Sequence, residues 1–245
     1  MTKLYVVGIG PGGKEQMTEQ CKDVITSCDT VVGYTRYMKL VEHLTEGKEI
    51  YKTGMHGEVE RCQKAVDFAK EGKTTAVVSS GDSGIYGMAG LVYEIVMQQE
   101  CMDKVDVIVV PGMTSANATA SLLGAPLMHD FVTISLSDWL TEMSLIEKRL
   151  HCIGQGDFVA VVYNPKSKAR PEIINKAQEI LLQYKSGDTP VGIVRNAYRE
   201  GQSVEITTLN DMCDAEIDML TTLIIGNAST FAANGKMVTP RGYGV

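Results

Sequence analysis

Short runs of consecutive apolar residues alternate along the chain with stretches in which apolar positions recur every three or four residues. Leu4 to Val7 is such a run. It stops at Gly8-Ile9-Gly10-Pro11-Gly12-Gly13, after which Met17, Cys21, Val24, Ile25 and Cys28 recur at helical spacing. Val31-Val32 predicts a second strand and Tyr37 to Leu44 a helix. A polar stretch then leads to a helix through Cys62, Ala65, Val66 and Ala69. Thr74 to Val78 is a strand that ends at Ser79-Ser80-Gly81-Asp82-Ser83-Gly84-Ile85-Tyr86-Gly87, followed by a helix over Met88 to Gln98. Val105 to Val110 is a strand that ends at Pro111-Gly112, with a small-residue helix over Thr114 to Leu123. Continuous β-branched runs suit strands covered on both faces. The alternation of strand, glycine turn and helix predicts a parallel α/β sheet wound by right-handed crossovers.

Gly124-Ala125-Pro126 interrupts the alternation, and the chain is expected to divide there into lobes of residues 1–124 and 125–245. The second half predicts strands over Phe131 to Leu136, Phe158 to Tyr163, Val191 to Val194 and Leu223 to Ile225, with Ser203 to Thr207 as an edge or hairpin strand. Helices are expected around Leu145 to Leu150 and along the stripe Ile173, Ile174, Ala177, Ile180, Leu181 and Tyr184. The expected fold is two α/β lobes, with a mostly parallel N-terminal sheet and a mixed C-terminal one.

Composition narrows the function classes. With 245 residues the chain can bury a sizeable core without staples. No apolar run approaches the length of a membrane span, so a cytoplasmic protein without a membrane partner is expected. A net charge of −7 argues against nucleic acid as a partner, and it means that an anionic ligand needs a local basic cluster. Six separated cysteines without a CxxC pair, and four histidines without HExxH, read as buried thiols rather than a metal site.

Three strands of the first lobe end in glycine- or proline-bearing turns: GIGPGG, SGDSGIYG and PGMTSANA. Ligands of open parallel sheets bind outside the carboxyl ends of the strands, and glycine there lets a ligand approach backbone amides. A tight turn explains any one of these segments; three together point to a site. GIGPGG imitates a dinucleotide fingerprint, but Pro11 occupies a turn position and the second strand ends in Val32-Gly33-Tyr34 without a ribose-binding carboxylate, which argues against a nicotinamide cofactor. No GxxxxGK[ST] motif is present, which excludes a P-loop hydrolase.

Taken together, GIGPGG, SSGDSGIYGMAG, VVPGMTSANA, GAPLMHDF followed by ISLSDWLT, VYNPKSKAR and the late IGN resemble the tetrapyrrole methylases over essentially the whole chain. Within that family they are most similar to the branch that methylates C17 of precorrin-3B or cobalt-factor III in cobalamin biosynthesis. Ser83 and Gly84 depart from the proline and bulky residue that relatives often carry after the GD pair.

The resemblance implies S-adenosyl-L-methionine as cofactor, folded in a cleft between two α/β lobes, an anionic tetrapyrrole as substrate and a homodimer. Carried over residue by residue, Pro11, Ser80, Gly81, Asp82, Ile85, Thr114 and Ser115 would line the cofactor from the first lobe, and Tyr163, Asn164, Asn196 and Ala197 from the second. Thr114 and Ser115 also read as helix N-caps. His129 and Asp82 are the candidate acid–base groups for a ring contraction coupled to methylation, although His129 reads equally as a structural hydrogen-bond partner. Lys166, Lys168, Arg170, Arg195 and Arg199 are candidates for capturing substrate carboxylates, and the first three read equally as a solvated helix start. The rival readings are a sister methylase acting at another ring carbon and a non-catalytic nucleotide- or tetrapyrrole-binding module.

Overall fold

The apolar runs of the first half assemble into one five-stranded sheet in which every pairing is parallel, in the order β3-β2-β4-β1-β5. The computed structural model describes residues 1–167 and 170–244. Its first unit is Met1–Ser115. The elements there are β1 (Thr2–Gly8), α1 (Glu19–Ser27), β2 (Thr30–Tyr34), α2 (Thr35–Val41), β3 (Glu49–Thr53), α3 (Glu58–Lys70), β4 (Thr75–Ser79), α4 (Ala89–Gln98) and β5 (Val105–Val110). Strand side chains alternate between faces. Leu4, Val6, Val32 and Val77 pack with α3 and α4 on one face. Val7, Val31, Ala76 and Val78 pack with α1 and α2 on the other. That two-sided burial is why these strands read as unbroken apolar runs. Thr18 starts α1 by accepting a hydrogen bond from the Cys21 amide through its hydroxyl.

The polar stretch before α3 contains β3, which the apolar pattern does not predict. Glu-Ile-Tyr-Lys-Thr forms the edge of the sheet, and only Thr53 of its five residues is buried. An edge strand needs little apolar surface, so its signal is weak.

The second unit is Ala116–Val245. Its elements are the bulk of α5 (Ser115–Leu123), β6 (Gly124–Ala125), β7 (Phe131–Ser135), α6 (Met143–Gln155), β8 (Val159–Tyr163), α7 (Ile173–Leu181), β9 (Pro190–Arg195), β10 (Ser203–Thr208), β11 (Thr221–Ile225), β12 (Phe231–Ala233) and β13 (Lys236–Val238). The main sheet runs β10-β9-β11-β8-β7. Only β7 and β8 pair in parallel, so the sheet is mixed. Ala160, Val162, Ile193 and Leu223 face α6 and α7. Val159, Val161, Val194 and Ile224 face Ala116 and Leu123 of α5. This burial explains why α5 belongs with the second unit, and it leaves the Gly124-Ala125-Pro126 turn inside that unit. At Gly192 a Cβ would fall on the Leu123 side chain, so glycine is what lets α5 lie against β9.

A small third sheet, β12-β13-β6, is also absent from the apolar pattern. Its hairpin turns at Asn234 (φ 51) and Gly235 (φ 70), the left-handed pair that a two-residue turn requires.

Burial pushes the thiols of Cys21 up to about 11 and of Cys28 and Cys62 up to about 12. Cys101 is also buried, Cys213 is half-buried and Cys152 is exposed. A thiol reagent at pH 8 is expected to modify Cys152 rapidly and Cys213 slowly. The other four should react only after denaturant is added. Rapid modification of three or more thiols in the native protein would contradict this packing.

Candidate active site

The three glycine-bearing turns lie at the carboxyl ends of β4, β1 and β5, which are neighbours in the sheet. The chain leaves β1 for α1 on one face and leaves β4 for α4 on the other. Connections that diverge from adjacent strands open a crevice at the strand ends, the usual ligand position in such sheets.

Here backbone packs directly on backbone. A Cβ on Gly8 would lie 2.7 Å from the Gly112 nitrogen and 2.8 Å from the Gly81 oxygen. One on Gly112 would fall on the carbonyl oxygens of Gly81 and Gly8. The first two turns are joined by reciprocal hydrogen bonds: the Gly10 amide donates to the Gly81 carbonyl at 3.0 Å, and the Gly81 amide donates to the Gly10 carbonyl at 2.8 Å. Gly10 (φ +74) and Gly81 (φ +68) take the left-handed conformation that this pairing needs.

Asp82 ties the second turn to the third. Its Oδ2 accepts from the Gly112 amide at 2.9 Å and its Oδ1 from the Gly84 amide at 2.8 Å. Both carboxylate oxygens are therefore engaged by backbone, which makes Asp82 a brace for the turns. The residue that follows, Ser83, is fully buried and donates its hydroxyl to the Val6 carbonyl at 3.0 Å. A small residue there lets the loop drop onto β1. That role was not visible in the sequence, where Ser83 stood out only as a departure from its relatives. Tyr86 adopts a left-handed φ of 53°, a costly conformation for a bulky residue, in the same loop.

The space beside Gly81 is the cradle of this unit. A Cβ built there meets nothing nearer than 3.8 Å, at the Ser115 nitrogen and Thr114 Cα. A side chain would therefore occupy the gap in front of the start of α5. Pro11, Ser80, Gly81, Asp82, Ile85, Thr114 and Ser115 all fall on these three turns, so the fold gathers the expected residues of the first unit. Backbone amides and small residues around an open gap fit a ligand that carries a carboxylate and an adenine.

In the second unit Tyr163 ends β8 with Asn164 just after it, and Asn196-Ala197 follows β9. These strands flank β11 and run in the same direction, so the two turns share one end of the sheet. Asn164 (φ 50) and Asn196 (φ 51) are left-handed, which asparagine tolerates. The Asn164 Nδ2 donates to Ser135 Oγ at 2.9 Å, and the Tyr163 hydroxyl accepts from the Ala116 amide at 3.0 Å.

Not every candidate joins them. His129 precedes β7, and the parallel register that sets Phe131 beside Val159 and Ser135 beside Tyr163 puts it at the opposite end of the strand pair from Asn164. Five strand residues separate the two ends by about 16 Å. His129 is exposed, and its Nδ1 accepts from the Asp130 amide at 2.8 Å.

The basic candidates differ from one another. Arg195 is paired within the chain, with Glu216 at 2.8 Å and Asp218 at 2.9 Å, so capture of an external carboxylate would have to break two ion pairs. Arg170 donates through Nη1 to Ser137 Oγ and Asp138 Oδ1, both at 2.8 Å, and through Nε to Ser167 Oγ at 3.2 Å. Lys166 is half-buried beside that turn. Arg199 lies in the turn after β9, its amide donating to the Asn196 carbonyl. Lys168 lies outside the described residues.

Residues 3–213 match the family described as Tetrapyrrole (Corrin/Porphyrin) Methylases. The chain is 51% identical to the "Cobalt-factor III methyltransferase" of Priestia megaterium, over 98% of this chain and 45% of that protein, so it spans less than half of that relative's length. It is 48% identical to the "Probable cobalt-factor III C(17)-methyltransferase" of Salmonella typhimurium, over 98% of this chain and 99% of that one. Among solved structures, that of the methyltransferase CobJ superposes with a TM-score of 0.90 at 32% identity, covering 98% of this chain and 100% of the other.

Two substitutions test the turn junction. Asp82→Ala removes a charged acceptor from two amides and is expected to lower stability by about 1.5–3 kcal/mol. Gly112→Ala forces a methyl group onto two carbonyl oxygens that cannot rotate away, and should cost at least as much. Urea unfolding reads both. A change below about 0.5 kcal/mol in either variant would mean that the turns are not braced in this way.

Proposed function

The chain belongs to the tetrapyrrole methylases, and from that premise we propose that it transfers a methyl group from S-adenosyl-L-methionine to C17 of cobalt-factor III, coupled to contraction of the macrocycle, in cobalamin biosynthesis. The observation that supports this most is the near-complete mutual coverage with the Salmonella typhimurium protein at 48% identity. When bound, the cofactor supplies an electrophilic methyl on a sulfonium, whose departure leaves a neutral thioether.

The residues of this chain then have three tasks. The cradle beside Gly81, with the backbone from Met113 to Ser115 opposite, holds the donor. Tyr163-Asn164 and Asn196-Ala197 are proposed to complete the donor's surroundings from the second unit. Lys166, Lys168 and Arg199 are proposed to meet the substrate's carboxylates, since a chain of net charge −7 can hold an anionic ligand only through local cations. Positioning of donor and acceptor carries most of the rate, since fixed geometry alone can supply roughly 7–11 kcal/mol. The same reading carries a cytoplasmic homodimer. Among the described residues no helix is long and apolar enough to cross a membrane.

The deciding experiment incubates the protein with cobalt-factor III and methyl-labelled S-adenosyl-L-methionine and follows product mass. One added methyl on a contracted ring is expected. Label transferred only to a different macrocycle would favour the sister-methylase reading, and binding without transfer would favour the non-catalytic module.

Gly81→Ala is expected to weaken cofactor binding at least ten-fold by calorimetry. The left-handed φ should cost it about 1–2 kcal/mol of stability and leave the protein folded. Unchanged affinity would remove the cradle from the donor site. His129→Ala is expected to leave the ratio of methylated to contracted product unchanged, because of its place at the far end of β7. Accumulation of a methylated, uncontracted macrocycle would instead make His129 the proton carrier.

A further inference from the structure

The loop that follows β7 ends in two large apolar side chains exposed on a firmly held base. Trp139 is 69% exposed and Leu140 90% exposed. Exposure on this scale in a mobile loop would mean little, but the two residues immediately before them are anchored. Ser137 and Asp138 both accept from Arg170 Nη1 at 2.8 Å. Arg170 is itself fixed by the Ser167 hydroxyl at 3.2 Å and by reciprocal backbone hydrogen bonds between residues 167 and 170. Asn164 ties the start of that turn to Ser135, the last residue of β7. The loops following the parallel pair β7 and β8 are thus clamped to one another.

The clamp joins two loops of unlike chemistry. Trp139 and Leu140 supply an aromatic and an aliphatic surface, and Lys166 lies just before the Ser167–Arg170 turn. Asp138, the carboxylate next to Trp139, is paired with Arg170, while Glu142, at the far end of the same loop, is exposed. A flat conjugated macrocycle has apolar faces and a rim of carboxylates, and it matches this surface in both respects. The chain as a whole, at −7, would repel it.

Resting on the function proposed above, we infer that Trp139 and Leu140 form a contact for one face of the macrocyclic substrate, and that Arg170 is a positioning residue that holds them and masks Asp138. The geometry gives Arg170 a different role from capture of a substrate carboxylate.

The test uses steady-state methyl transfer with cobalt-factor III and S-adenosyl-L-methionine. Trp139→Ala and Leu140→Ala should each raise the macrocycle KM, by roughly ten- to hundred-fold for the tryptophan, while the KM for S-adenosyl-L-methionine stays within two-fold. Trp139→Phe should recover most of the loss. Arg170→Ala should raise the same KM, and adding Asp138→Asn to it should restore part, since the bared carboxylate is gone. A residue that captured substrate carboxylates directly would show no such rescue.

An unchanged macrocycle KM in Trp139→Ala, with methyl transfer intact, overturns the contact and leaves the function standing. So does a Trp139→Ala variant whose only change is dissociation of a dimer in sedimentation, which would assign the tip to a second copy of the chain. No transfer by the unaltered protein overturns the function itself and the contact with it.

Discussion

Everything at the strand ends of the first unit depends on an exclusion: where Gly8 and Gly112 press against the Gly81 carbonyl, neither has room for a side chain. Three neighbouring strands can end at the same level only if their turns pack main chain against main chain. That contact leaves peptide groups, not side chains, to surround whatever binds there. The Asp82 carboxylate keeps the third turn from drifting away from the second. Peptide groups held by a sheet have few ways to rearrange, so the site is preorganised by the fold itself. The left-handed Tyr86 shows that some backbone strain is tolerated to keep this arrangement.

In the second unit the ordering principle is charge pairing. Arg195 and Arg170 both follow apolar strands, and each looks like a cation awaiting an anion. Both are committed inside the protein, one to Glu216 and Asp218, the other to Asp138. In a chain of net charge −7 an arginine has many internal suitors, and a position near a strand end is weak evidence for a role in binding. What such a residue touches separates capture from bracing. Arg170, with two hydroxyls and a carboxylate within reach, braces.

The inner strands of the parallel sheet were legible because they are buried on both faces and so read as unbroken apolar runs; the edge strand β5 was placed from its apolar run as well, although most of it is only partly buried. β3 was not legible, because an edge strand with one buried residue carries almost no hydrophobic signal. The β12–β13 hairpin was also missed, although Asn234-Gly235 is a strong turn pair that deserved a strand on each side. The site's glycine turns were legible as a set, and the fold gathers them. For Asp82 and His129 the structure adds what residue type does not show. The Asp82 carboxylate, conspicuous amid glycines, accepts from two amides of its own fold. His129 was placed by its nearness to a domain joint in sequence. The β7–β8 register, which no local pattern encodes, sets it a strand's length from Asn164.

The short sheet β12-β13-β6 ties Gly124-Ala125 to Met237-Val238, and the Thr239 amide donates to the Ala125 carbonyl. Thr230 and Thr239 share a buried hydroxyl contact at 2.8 Å in the same region. As the chain emerges from the ribosome, the first unit has all its strands once residue 110 is out, and units generally fold in the order they are made. The second unit has a different timetable. Its opening segment must wait for a partner made more than a hundred residues later. Until then the apolar face of α5 lacks Met237, part of its cover. During synthesis the vulnerable interval therefore belongs to the second unit, and the hairpin that ends it acts as a latch.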